Sequence, residues 1–148
     1  IKNKSLDQII EVFRNKTGRM PTFEDFLSGK GLNFFYCVLS DQEKCSLTNE
    51  EILSNYNTDA VCLEVKESMN YLYAAYLRYI ALAWGALGGV YLAGSITNSL
   101  LFDIDNNKFR QIFEDSETMN SLLKATPIFR VKPQDLGFRG ALKLAREL

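Results

Sequence analysis

LAWGALGGVYLAGSITN, residues 82–98, changes character twice. It starts as the end of a long helical pattern, breaks at Gly85, and becomes GGVYLAGS, a short apolar and β-branched run with glycines on both sides. Val90 to Ala93 are expected as a buried strand, followed by a small-residue turn at Gly94-Ser95 and a segment from Thr97-Asn98 that can begin a helix. Upstream, residues 59–84 place Val65, Met69, Leu72, Tyr76 and Ile80 at spacings of four, three, four and four, which is one stripe of a long helix. Downstream, the chain turns polar through LFDIDNN. KFRQIFED then sets Phe109, Ile112 and Phe113 on one helical face, and residues 118–124 make a short helix. Pro127 suits the first position of a strand, so PIFRVK reads as a second short strand. LGFRGALKLAREL closes the chain as a helix with apolar Leu142, Leu144 and Ala145. The glycines at Gly137 and Gly140 permit that helix to pack closely on a strand.

The N-terminal third is helical. SLDQIIEVFRNKTGR sets Ile9, Ile10 and Phe13 on one face, with Asp7 near the positive end of the helix. TFEDFL forms one or two turns capped by Thr22, with Asp25 closing a reciprocal pair of bonds three residues on. Ser28-Gly29-Lys30-Gly31 is expected to break the helix, and LNFFYCVLS to follow as a buried one. The polar stretch 41–57 reads as a loop containing a turn of helix capped by Thr48. The order of elements describes an α/β protein.

Composition narrows the chemistry. The chain has 148 residues, 47% of them apolar, and 17 basic side chains nearly balance 18 acidic ones, so it carries no electrostatic footprint for nucleic acid. There is no histidine, which removes Ser-His-Asp and Cys-His dyads and most catalytic zinc sites. Cys37, Cys45 and Cys62 lack CxxC spacing and read as reduced thiols of a cytoplasmic protein. Residues 79–102 carry no charge and are long enough for a membrane helix of about 20 residues. The glycines within that run, the polar side chains bunched at its end and a mean hydropathy of −0.11 argue against a span.

Two places suit a ligand. In an open parallel sheet, ligands bind beyond the carboxyl ends of strands, which is where Gly94 and Ser95 fall; a glycine there lets a flat ring or ribose approach the backbone, or is simply a turn. Glu24 and Asp25 precede the glycine-rich stretch, where a carboxylate either caps a helix or accepts hydrogen bonds from sugar hydroxyls. Lys30 reads as an exposed loop lysine, and neither a Walker A motif nor GxGxxG is present. The acidic residues Asp103, Asp105, Glu114, Asp115 and Glu117 lack the spacing of a calcium loop and read as a solvated face.

From about Thr22 to Leu148 these stretches resemble the C-terminal part of bacterial-type glucokinase, an ATP-dependent sugar kinase of the actin-like ATPase superfamily with a ribonuclease H-like fold. LAWGALGGVYLAGSI, FRQIFED, and TPIFRVK through LGFRGALKLA carry the likeness, in the family's order and spacing. The resemblance implies a C-terminal, large-domain segment, mostly helical with two or three short parallel strands. It places Gly94 and Ser95 against the adenosine and Glu24 on bound glucose. Ser95 stands where the family usually has a second glycine, Lys30 where it usually has proline, and Thr97-Asn98 replaces a proline-containing lead-in to the next segment. The family's phosphate loops, catalytic aspartate and Glu-Gly-Gly-His sugar motif have no counterpart here. They are expected upstream of Ile1, so no catalytic residue and no metal ligand is expected in this segment, and ATP and Mg2+ would be held mainly by the upstream part. Implied partners are glucose and ATP, and either a second copy or the upstream part of the chain, with neither nucleic acid nor membrane. The alternative is a non-catalytic sugar-sensing or scaffold protein that kept the same fold.

Overall fold

The computed structural model describes residues 4–101, 104–131 and 135–147, apart from the side chains of Ser95, Ile96 and Leu136. The described elements run α1 (Lys4–Thr17), α2 (Phe23–Phe26), α3 (Gly29–Leu39), α4 (Asn49–Ser54), α5 (Ala60–Trp84), β1 (Val90–Leu92), α6 (Ser95–Leu100), α7 (Asn106–Phe113), α8 (Asn120–Ala125), β2 (Ile128–Arg130) and α9 (Leu136–Glu147). The chain is thus an α/β protein, mostly helical, with two short strands among the described residues. These lie parallel, with Val90 opposite Ile128, Tyr91 opposite Phe129 and Leu92 opposite Arg130. The crossover between them carries α6, α7 and α8, as parallel pairing requires.

Helix α5 is the spine. Asp59 caps it by accepting from the amides of Val61 and Cys62, and Gly85 closes it. Its first half buries Cys62, Val65, Met69 and Leu72 against α1, α3 and α4 through Ile9, Leu32, Phe35 and Ile52. The stripe does not continue as its spacing predicts. Tyr76 and Ile80 are only half-buried, and Ala74, Leu77 and Ala81 face a second cluster built from Leu92, Leu101, Phe109, Ile112, Phe113 and Leu123. A helix this long drifts around its axis relative to a fixed seam, so one stripe cannot serve two cores.

Three further expectations need correction. The helix of TFEDFL does break before Ser28-Gly29-Lys30-Gly31, but Gly29 to Gly31 form the first turn of α3 and not a loop. Ser28 caps α3 by accepting from the Gly31 amide at 3.1 Å, and Lys30 is exposed in the helix's first turn. A Cβ at Gly31 would lie 1.9 Å from the Phe26 carbonyl oxygen, so the glycine is what lets α3 fold back on α2. Strand β1 is not buried on both faces: Leu92 points into the second core, whereas Tyr91 is 66% exposed and stacks on Phe129 at 4.9 Å. Helix α9 forms as expected, but a Cβ at Gly137 or Gly140 would meet nothing within 4 Å, so neither glycine packs on a strand.

The acidic residues near α7 are not merely a solvated face. Asp105 caps α7 through the amides of Asn107 and Lys108, and Glu114 pairs with Arg110 at 2.6 Å. Asp103 lies outside the described residues. Arg110 also donates to the carbonyls of Thr126 and Leu123, closing the end of α8. Arg78 does the same for α7 through the carbonyls of Ile112 and Asp115. Guanidinium groups at helix C-termini supplement the few backbone donors available to the last carbonyls there.

Candidate functional site

Glu24 and Asp25 are neighbours with opposite fates. Thr22 caps α2 by accepting from the Asp25 amide, and the Asp25 carboxylate accepts in return from the Thr22 amide and hydroxyl at 2.8 Å each. Arg19 completes the arrangement as a fork, its two terminal nitrogens each 2.8 Å from one Asp25 oxygen. The guanidinium and the Thr22 donors hold the Asp25 carboxyl well below the usual carboxylate range. Asp25 is therefore occupied by structure. Glu24 is exposed, and among the described residues no hydrogen bond or ion pair engages its carboxylate. The helical period of α2 explains the outward Glu24: Phe26 points into the core and Phe23, three residues before it, lies on the Tyr76 ring of α5 at 4.7 Å, which leaves Glu24 turned away from that side.

Gly94 sits at the carboxyl end of β1, at φ 122° and ψ 155°, a conformation that L side chains rarely adopt. Its carbonyl accepts from the Asn98 amide at 3.0 Å, so the backbone turns directly into α6. Helix α6 thus begins at Ser95, two residues before Thr97. The expectation for the Ser95 side chain lies outside the described residues. The open space around Gly94 is real, because the nearest atom to a Cβ built there is the Thr97 hydroxyl, 3.9 Å away. That hydroxyl is bonded to the Tyr73 hydroxyl of α5 at 3.0 Å, and burial pushes the Tyr73 phenol above its ordinary pKa.

Helix α5 therefore supports both places, through Tyr76 on the Glu24 side and Tyr73 on the Gly94 side, one helical turn apart. The sequence marked Tyr76 only as a core position and assigned Tyr73 nothing. The partner of Tyr73 is 24 residues away, and no local pattern announces such a pair.

Other features are structural. A cavity of about 460 Å³ beside the sheet is lined by Leu92, Phe109, Arg110, Ile128 and Arg130 among others, and neither Glu24 nor Gly94 reaches it. Its Arg110 is committed to carbonyls and to Glu114. Cys37, Cys45 and Cys62 are free, and burial raises the Cys62 thiol to about 11, which leaves it inert at neutral pH. Among the described residues no group of three or more Cys, Asp or Glu side chains is arranged to hold a metal ion. No described helix is long and apolar enough to cross a membrane.

Comparison with known proteins points to the glucokinase family. The glucokinase family model matches residues 1–148. A glucokinase of Chromobacterium violaceum is 32% identical over 113 residues, covering 73% of this chain and 32% of that protein. A glucokinase of Neisseria meningitidis is 31% identical over 133 residues, covering 86% of this chain and 40% of its own length. The crystal structure of a glucokinase from an Antarctic psychrotroph superposes with a TM-score of 0.72 at 20% identity, over 98% of this chain and 45% of that one, and so shares its fold. The chain spans less than half the length of each of these proteins.

Proposed function

The chain belongs to the glucokinase family, and we propose that it is the C-terminal, large-domain segment of an ATP-dependent kinase that converts glucose to glucose 6-phosphate. The observation that carries this reading to the residues is the free, outward carboxylate of Glu24 beside the fully engaged carboxylate of Asp25. A carboxylate on a helix that its neighbour already caps is available to accept from sugar hydroxyls, and charge-assisted bonds of that kind contribute about 1.5 to 3 kcal/mol each. In this reading Glu24 holds and selects the sugar, while the backbone at Gly94 and Ser95 forms one wall of the adenosine site.

The reacting groups come from elsewhere. In this reading magnesium is held mainly by the upstream part of the polypeptide, so no step at that ion is assigned to these residues. The base that takes the proton of the sugar 6-hydroxyl and the amides that cradle the phosphates belong, in this account, to the upstream part of the polypeptide. This segment binds and orients, and alone it is inactive. The reading also gives α9 a partner. Its residues 137–147 are all exposed, and Phe138, Ala141, Leu142 and Ala145 form an apolar stripe opposite Arg139, Lys143 and Arg146. Such a face, together with the exposed Tyr91 and Phe129 rings, is covered in the working enzyme by the upstream part or by a second copy. The enzyme works in the cytoplasm, without nucleic acid or membrane as partner.

The test is Glu24→Ala in the full-length polypeptide. KM for glucose is expected to rise by roughly tenfold or more while KM for ATP changes by less than about twofold. An unchanged ratio of the two constants contradicts the role of Glu24.

A further inference from the structure

The first turn of α6 has no side-chain cap at Gly94, and Gly94 itself has an unusually wide choice of backbone conformation. The far end of α6 is anchored by Leu100 in one core and Leu101 in the other. Among the described side chains, the near end is tied to the body of the protein by the hydrogen bond between Thr97 and Tyr73, 3.0 Å long and partly buried. The Tyr73 ring is itself wedged against both cores, so its hydroxyl is a fixed point from which the turn is hung. Thr97 is also the atom nearest to the open face of Gly94. We infer that Tyr73 is a positioning residue for the nucleotide: through Thr97 it holds the Gly94 turn at the distance the adenosine requires. This rests on the proposed contact between that turn and the nucleotide.

The inference is tested in the full-length polypeptide with Tyr73→Phe, Thr97→Val, the two together, and Thr97→Ser. Tyr73→Phe keeps the ring and removes only the hydroxyl. It is expected to raise KM for ATP by roughly three- to tenfold and to move KM for glucose by less than about twofold. Thr97→Val has the same effect, the double variant is no worse than either single one because they remove one bond, and Thr97→Ser retains the parental constants. Hydrogen exchange of residues 93–98 in the unaltered protein, with and without ADP, separates the two levels of the argument. Protection by ADP with an unchanged KM for ATP in Tyr73→Phe overturns the positioning role and leaves the nucleotide contact standing. Equal rises in both KM values, or additive effects of the two substitutions, also overturn it by showing a general structural loss. No protection by ADP removes the nucleotide contact and the inference with it.

Discussion

Glu24 and Asp25 show how two like side chains, adjacent in the chain, are sorted by what surrounds them. Asp25 is fixed by Arg19 and Thr22, so it titrates below the carboxylate range. Its folded pKa is depressed, so it contributes stability that is fully present above the unfolded value of about 3.9 and is lost as pH falls through the folded value. Asp25→Asn is therefore expected to flatten the acid limb of a stability–pH curve below about pH 4 and to leave its neutral limb parallel to the parent, as followed by urea denaturation at several pH values. The Thr22–Asp25 box was legible in the sequence because it uses a local spacing of three. The outward Glu24 was legible as a candidate only, because occupation of its neighbour depends on Arg19 folding back from beyond α1. The Tyr73–Thr97 bond was not legible at all, since it joins two helices across 24 positions.

Between elements, the tightest constraint is the fold of α3 on α2. Gly31→Ala puts a methyl group into the Phe26 carbonyl and is expected to cost about 3 kcal/mol or more in denaturant unfolding, although alanine is the better helix former. Read along the chain, Gly29-Lys30-Gly31 looked like a helix breaker. The Ser28 cap and the contact with Phe26 are tertiary reasons for the same residues, and they outweigh propensity. Arg110 is a second joint of this kind. Arg110→Ala removes the guanidinium donor from the Thr126 carbonyl and leaves the Leu123 carbonyl with the Thr126 amide alone, and is expected to lower stability by about 1 to 3 kcal/mol by the same measurement. The strands were legible from their apolar runs and flanking glycines and proline. Their burial was not, because an apolar run does not say which of its faces is covered, and Tyr91 is bare in this chain.

As a molecule, the chain has two cores on one helical spine and a C-terminal helix whose described side chains belong to neither. Phe138 is 70% exposed, although it lies on the apolar stripe of α9. Where the proposed upstream part covers this ring, Phe138→Ser is expected to change the stability of the 148-residue chain by less than about 0.5 kcal/mol and that of the full-length polypeptide by about 1.5 to 3 kcal/mol, and equal effects point to a second copy instead. The proposed upstream part bears on activity in the same way. Glucose-dependent formation of ADP from MgATP, measured with the full-length polypeptide and with residues 1–148 side by side, addresses it directly. The account predicts turnover by the long form and none by the short one. A folded long form that is silent contradicts the kinase reading and favours a sugar-sensing or scaffold protein of the same fold, and turnover by residues 1–148 alone contradicts the placement of the chemistry upstream.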